Sequence, residues 1–134
     1  MPSPEQTQME RQHIFAVNGS PDLLDVIRTL FQDENYNVTT TNFIPDTFDQ
    51  IATAAPAVLI VDLVRGEEAG FNLLEQLSRE DATRDLPIIV VSTSQAMIDE
   101  ARAHPAQYGR RRFLRKPFDI DDLLTMVTDL VGRA

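Results

Sequence analysis

Short apolar runs alternate along this chain with segments whose apolar residues recur at helical spacing. The first run is His13–Val17, and Ile27 and Phe31 follow on what would be one face of a helix. Between them stand Ser20, a residue type that caps helices, and Pro21, which suits the first helical position. The pattern therefore predicts a strand that leads directly into a helix, and a helix that covers a sheet.

Two later runs, 57–61 and 88–91, contain only apolar residues. A strand without a polar face is typical of the centre of a parallel sheet covered by helices on both sides. Residues 38–41 are rich in β-branched side chains and predict a shorter strand, and 113–114 predict a short last one. Five strands alternating with five helices predict an α/β fold, a doubly wound parallel sheet of the flavodoxin-like class.

Helix boundaries are predicted from the capping residues. Asp46 is expected to cap the second helix, Gly70 to open the third and Asp119 to cap the last. Residues 95–103 predict a weaker fourth helix, and residues 104–109 are expected to form a turn.

Length and charge narrow the class of protein. The 134 residues suit one domain, expected at 13–134 after a loose polar tail at 1–12. The net charge of −9 argues against general nucleic-acid binding, and no apolar run approaches the length of a membrane span. With no cysteine for disulfides, a cytoplasmic protein that meets other proteins is expected.

Polar residues stand where the predicted strands end. Asn18 follows the first strand, Asp62 the third, Ser92 the fourth and Lys116 the fifth. In doubly wound sheets the functional residues collect at the carboxyl ends of the strands. A carboxylate, a hydroxyl and an ammonium brought together there could act in phosphoryl transfer, although each alone is ordinary loop chemistry.

In this order, the residues resemble the receiver domain of two-component response regulators, from about residue 13 to residue 131. The segments that carry the resemblance are IFAVNGSPDLLDVIRTLFQDENYNV, AVLIVDLVRGEEAG, LPIIVVSTS and FLRKPFDIDDLL. The resemblance implies that Asp62 accepts a phosphoryl group, that Ser92 and Lys116 contact it, and that Phe113 is an aromatic residue that rotates on activation. It also implies a cis peptide bond between Lys116 and Pro117.

The sequence departs from the family at the metal site. The family holds Mg²⁺ with two acidic residues after the first strand, the acceptor aspartate and a backbone carbonyl, which here is that of Val64. The acidic positions are occupied by Asn18, a weak candidate ligand, and Gly19. Mg²⁺ is thus expected to bind weakly or not at all. Whether loop or helix acids substitute is open, and the candidates are Glu67, Glu68 and Asp22, although solvated acids are the simpler interpretation.

Basic residues are distributed unevenly. The chain has eleven arginines and one lysine, and that lysine is Lys116. A compact ammonium suits a tight site where a planar guanidinium would not fit, although Lys116 could also serve only to neutralise Asp62. A second basic feature is the stretch 109–116. It could contact an acidic partner or nucleic acid, or its residues could simply face water around a short strand. Arg111 and Arg115 are the candidate contacts for a protein partner, on the face of the fourth and fifth predicted helices and the last strand. Homodimerisation through that face is left open.

Two functions from different classes follow from the resemblance. In the first, the chain is a stand-alone receiver, not an enzyme, that is phosphorylated at Asp62 by a histidine kinase or phosphotransfer protein and signals to a downstream protein by contact. In the second, it is a pseudo-receiver that binds partners without phosphorylation, as the missing acidic pair suggests. A cofactor-binding flavodoxin-like protein is less well supported, since residues 18–21 lack a phosphate-binding glycine pattern.

Overall fold

The computed structural model describes residues 12–17, 21–42, 46–64, 67–109 and 111–131, with only the backbone for 21–23. Strands and helices alternate along most of this length. In chain order they are β1 His13–Val17, α1 Pro21–Asp33, β2 Asn37–Thr41, α2 Thr47–Ala54, β3 Val58–Asp62, α3 Ala69–Arg79, β4 Ile88–Ser92, α4 Gln95–Ala103, α5 Pro105–Tyr108, β5 Arg112–Arg115 and α6 Ile120–Val131. None of the helices described is both long and apolar enough to cross a bilayer.

The five strands form one parallel sheet in the order β2-β1-β3-β4-β5. Strand order reverses between β1 and β3, because the chain first moves outward to β2 and then returns to the other side of β1. This is the topology of a doubly wound sheet, so the predicted fold class is confirmed. Five parallel strands require crossover connections, and the helices provide them.

The central strands of the sheet are more deeply buried than the edge strands. All five residues of β3 and of β4 are buried, whereas the edge strands β2 and β5 are partly exposed. Two apolar clusters cover the opposite faces of the sheet, one containing Phe15 and Leu74 and the other containing Ile27 and Val127. The apolar runs in the sequence are therefore the central strands, buried under helices on both sides.

The segment expected to be a turn contains a short additional helix, α5, so that the described chain has six helices where five were predicted. Pro105 occupies its first turn, where a missing backbone N–H costs no hydrogen bond. The ring of Tyr108 is buried, and its centroid lies 5.2 Å from that of Phe71 in α3. Packing on α3 thus stabilises a helix too short to form alone, which local sequence could not reveal.

The predicted caps have different outcomes. The carboxylate of Asp119 accepts a hydrogen bond from the N–H of Asp121 at 3.0 Å, so this cap is confirmed. The prediction for Asp46 is wrong, because it stands at the N-cap of α2 with ψ of 4° and makes no side-chain capping bond. The third helix begins at Ala69, one residue before the predicted start at Gly70. Ser20 and residues 1–11 of the predicted tail lie outside the described residues.

Arg111 is anchored inside the fold, although the sequence suggested a surface contact. Its guanidinium donates hydrogen bonds to the carbonyls of Tyr108 at 3.0 Å and Leu86 at 3.1 Å, and to the hydroxyl of Ser78 at 2.8 Å. Burial lowers the pKa of the guanidinium below its usual value. Arg111 therefore joins the end of α5 to the end of α3 and to the segment before β4.

Arg111→Ala should lower the free energy of unfolding by about 2–3 kcal/mol, because three partly buried acceptors lose a charged donor. Its neighbour Arg112 is exposed, so Arg112→Ala is a matched control expected to change stability by less than about 0.5 kcal/mol. Urea unfolding followed by circular dichroism measures both. Equal stability of the two variants would show that the Arg111 contacts do not hold α5.

Candidate functional site

Asp62 is the last residue of β3, at the point where strand order reverses. It is only 3% exposed, in a strand otherwise composed of apolar residues. An ionised side chain in such surroundings requires a partner of opposite charge or several hydrogen bonds. The sequence thus places a carboxylate where it must be neutralised by another element.

Lys116 supplies that neutralisation. Its Nζ lies 2.9 Å from Asp62 Oδ2, and its side chain is 19% exposed. The backbone N–H of Lys116 donates to the carbonyl of Ser92 at 2.7 Å, which extends the pairing of β5 with β4. The peptide bond between Lys116 and Pro117 is cis, as predicted. Because strand pairing fixes its backbone, the lysine is held beside the carboxylate.

Ser92 is fully buried at the end of β4. Its hydroxyl donates a hydrogen bond to the carbonyl of Leu63 at 2.7 Å and accepts one from the N–H of Ser94 at 3.0 Å. Leu63 directly follows Asp62, and Ser94 is the N-cap of α4. The Ser92 hydroxyl thus connects the segment after the carboxylate to the start of α4.

The two carboxylate oxygens of Asp62 differ. Oδ2 is bound by Lys116, whereas Oδ1 is buried and has no hydrogen-bond partner within the described structure. Leaving a buried charged oxygen without a donor costs stability, so such groups are rare and call for a functional explanation. Oδ2 is thus held by a cation, while Oδ1 has the electron pairs that a nucleophile would use.

Phe113 lies in β5 opposite Val90 of β4. Its ring is partly buried against the apolar cluster on the α4 side of the sheet, and the guanidinium carbon of Arg102 lies 4.9 Å from the ring centroid. The structure therefore places Phe113 on the sheet strand next to the one that carries Ser92. It also shows that an α4 arginine covers the ring.

The described residues form no ready-made metal site. No group of three acidic or histidine side chains in the described part of the chain could hold a metal ion. The carbonyl of Val64, the expected backbone ligand, accepts a hydrogen bond from the N–H of Glu67 at 3.0 Å. Glu67 and Glu68 are exposed, as solvated loop acids would be. Asp62 thus supplies one carboxylate, the minimum with which Mg²⁺ is held when phosphate oxygens and waters complete its coordination.

Asn18 and Gly19 lie outside the described residues, as does the side chain of Asp22. The predicted site residues that the structure describes fall into two groups. Asp62, Ser92 and Lys116 come together at one edge of the sheet, whereas Glu67 and Glu68 remain in the solvent-exposed loop before α3.

Two contributors were missed from sequence. Ser94 stands at the N-cap of α4, accepts the N–H of Met97 at 3.3 Å and bonds Ser92 through its own backbone. Its residue type before a helical segment was an available signal. Arg102 gave no such signal, because its contact with Phe113 depends on how α4 packs against β5.

The chain matches a known family over most of its length. Residues 14–128 match the family model of the response regulator receiver domain. The chain therefore belongs to the response regulator receiver family of two-component signalling.

A curated relative and two solved structures agree with this assignment. The response regulator SaeR of Staphylococcus epidermidis is 24% identical over 121 residues, which cover 90% of this chain and 51% of that protein. This chain thus spans about half the length of the curated relatives it matches. Chemotaxis protein CheY4 of Vibrio cholerae has a TM-score of 0.75 at 22% identity, covering 90% of this chain and 98% of that one.

A response regulator protein from Burkholderia multivorans, solved in solution, has a TM-score of 0.70 at 25% identity. The alignment covers 92% of this chain and 98% of that one. These likenesses support the fold, while the chemistry of the site depends on the side chains of this chain.

Lys116→Met should lower the free energy of unfolding by roughly 2–3 kcal/mol, because it leaves the Asp62 carboxylate buried without a counter-ion. In an Asp62→Asn background the same change should cost less than about 1 kcal/mol, since no charge is then left unpaired. Chemical unfolding of the parent, the two single variants and the double variant measures the coupling. Additive effects would contradict the importance of this ion pair.

Proposed function

We propose that this receiver domain accepts a phosphoryl group on Asp62 from a histidine kinase or a phosphotransfer protein, and signals by protein contact. The observation that carries the proposal is the asymmetry of the Asp62 carboxylate. One oxygen is held by Lys116, and the other is buried without a partner in the described structure. The domain itself acts as a substrate in this exchange and not as an enzyme.

The proposed chemistry is nucleophilic displacement at phosphorus. Asp62 Oδ1 attacks the phosphorus atom of a phosphohistidine, the phosphorus–nitrogen bond breaks, and the imidazole keeps the electron pair. The product is an acyl phosphate on Asp62. Lys116 would offset the negative charge on the phosphoryl oxygens, since its ammonium already lies 2.9 Å from the neighbouring carboxylate oxygen.

Ser92 is proposed to donate a hydrogen bond to the phosphoryl group during and after transfer. Its hydroxyl has one proton to donate, and that proton is engaged by the carbonyl of Leu63 at 2.7 Å. Donation to a phosphoryl oxygen would therefore require the hydroxyl to release Leu63. We propose that this exchange of acceptor by Ser92 and a change in the position of Phe113 together form the conformational switch of the domain.

Mg²⁺ is proposed to bind weakly. The described side chains supply a single carboxylate at the site, and the Val64 carbonyl already has a hydrogen-bond donor. Asp62 and that carbonyl are the groups that could contact the ion, with Asn18 as a further candidate in the sequence. When bound, the ion would neutralise phosphoryl oxygens.

The face formed by α4, β5 and α6 is proposed as the contact surface for a protein partner or a second copy. Arg115 is exposed on β5, the edge strand of this face. Arg111 is not part of the proposed contact, because its guanidinium donates hydrogen bonds to Tyr108, Leu86 and Ser78 within the fold. Charge reversal at Arg111 would therefore test folding, and Arg115 is the residue that tests the surface.

The parent protein should gain one phosphoryl group during incubation with acetyl phosphate and Mg²⁺, measured by intact mass spectrometry. Asp62→Asn should abolish the modification, whereas Asp129→Asn, at an exposed aspartate of α6, should leave it unchanged. Ser92→Ala should slow the reaction by about a hundred- to a thousandfold, the range seen when one donor to the developing charge is removed.

The variant with Asn18→Asp and Gly19→Asp provides the complementary test. Added carboxylates should tighten Mg²⁺ binding and speed the reaction with acetyl phosphate. Tight, saturable Mg²⁺ binding by the parent would contradict the weak-metal proposal. Absence of any phosphoryl addition in both the parent and this variant would favour a pseudo-receiver that binds partners without phosphorylation.

Arg115→Glu should weaken binding to the cognate kinase or downstream protein, or self-association, with a larger effect at low salt because the contact is electrostatic. Arg84→Glu is the control, since Arg84 is exposed in the connection before β4, at the opposite end of the strands from Asp62. Affinity from titration calorimetry and self-association from sedimentation equilibrium measure the two cases. Unchanged binding of Arg115→Glu at low salt would exclude this face.

A further inference from the structure

Arg102 occupies the last turn of α4 and covers one side of the Phe113 ring. The guanidinium carbon lies 4.9 Å from the ring centroid, within the range of an attractive cation–π contact. The ring itself is only partly buried, packed against the apolar cluster on the α4 side of the sheet. The arginine therefore holds the ring between the apolar core and solvent.

The same helix is joined to the phosphoryl site at its other end. The N–H of Ser94, the N-cap of α4, donates to the Ser92 hydroxyl at 3.0 Å. Within α4, Ile98 and Ala101 are buried against the sheet, so the helix contacts the core between its two ends. A displacement at Ser94 can thus be transmitted to Arg102 by a single helix.

Ser92 and Phe113 lie on the same side of the sheet. Val90 is paired with Phe113 and belongs to the apolar cluster that contacts its ring, and Ser92 is two residues further along the same strand. Residues two apart in a strand face the same side. Ser92, α4, Arg102 and Phe113 consequently form a continuous series of contacts.

We propose that Arg102 is a positioning residue that holds the Phe113 ring in its unphosphorylated position, and that α4 releases this contact when the Ser92 hydroxyl turns to a phosphoryl group. The inference rests on the proposed function, because the release is driven by phosphorylation of Asp62. Its physical basis is that the Ser92 hydroxyl cannot donate to both Leu63 and a phosphoryl oxygen. The Ser92 oxygen also accepts the N–H of Ser94, so any movement of this oxygen toward a phosphoryl group acts directly on the start of α4.

The position of the ring can be measured without any phosphodonor. Arg102→Ala should shift the NMR signals of the Phe113 ring and strengthen its nuclear Overhauser contacts with core methyl groups, because the cover on the ring is gone. Arg102→Lys keeps the charge and should give an intermediate shift. The control is Arg79→Ala, which removes an exposed arginine from the last turn of α3 and should leave the Phe113 signals unchanged.

Coupling to the site is measured by titration with beryllofluoride, an analogue of the phosphoryl group, in the presence of Mg²⁺. If the contact stabilises the unphosphorylated state, Arg102→Ala should bind beryllofluoride about two- to fivefold more tightly than the parent, as expected for one exposed cation–π contact. Arg79→Ala should bind as the parent does.

The outcomes separate the two proposals. Unmoved Phe113 signals in Arg102→Ala would overturn the role of Arg102, and so would moved signals with unchanged or weaker beryllofluoride binding. If no variant nor the parent binds beryllofluoride, the proposed phosphorylation of Asp62 fails and the coupling fails with it. A moved ring would then show only that Arg102 packs on Phe113.

Discussion

The ion pair between Asp62 and Lys116 is the contact on which the site depends. A carboxylate at the end of a fully buried strand would be strongly unfavourable alone, and the lysine that neutralises it comes from the far edge of the sheet. The pair therefore requires β3, β4 and β5 to be in register, because the backbone of Lys116 is bonded to Ser92. The geometry of the site is thus a consequence of correct strand pairing.

Only one of the two Asp62 carboxylate oxygens has a hydrogen-bond donor within the described structure. Buried carboxylate oxygens generally have a hydrogen-bond donor. Here Oδ1 has none in the described structure, while Ser92, at the end of the neighbouring strand, donates to Leu63. A site with an unused nucleophilic oxygen and a hydroxyl that can exchange acceptors is suited to a switch.

The sequence predicted the central part of the fold well, because strands buried on both faces are uniformly apolar and their ends carry the polar residues. It did not predict α5, which depends on the packing of Tyr108 against Phe71. Nor did it predict the anchoring of Arg111, because two of its three partners, Leu86 and Ser78, are distant in sequence. The cap at Asp46 also failed, since capping requires a backbone conformation that residue type alone does not determine. The pairing of Lys116 with Asp62 was foreseeable from strand-end positions, whereas the cover of Arg102 on Phe113 was not.

A crystal structure of the parent protein with beryllofluoride and Mg²⁺ would show whether Asp62 takes up a phosphoryl analogue. We expect beryllium to be bound to Asp62 Oδ1, Lys116 to contact a fluoride, and the Ser92 hydroxyl to donate to a fluoride and no longer to the Leu63 carbonyl. Crystals grown at saturating beryllofluoride that leave Asp62 unmodified and the Ser92 hydroxyl on Leu63 would contradict the central claim that this carboxylate is a phosphoryl acceptor.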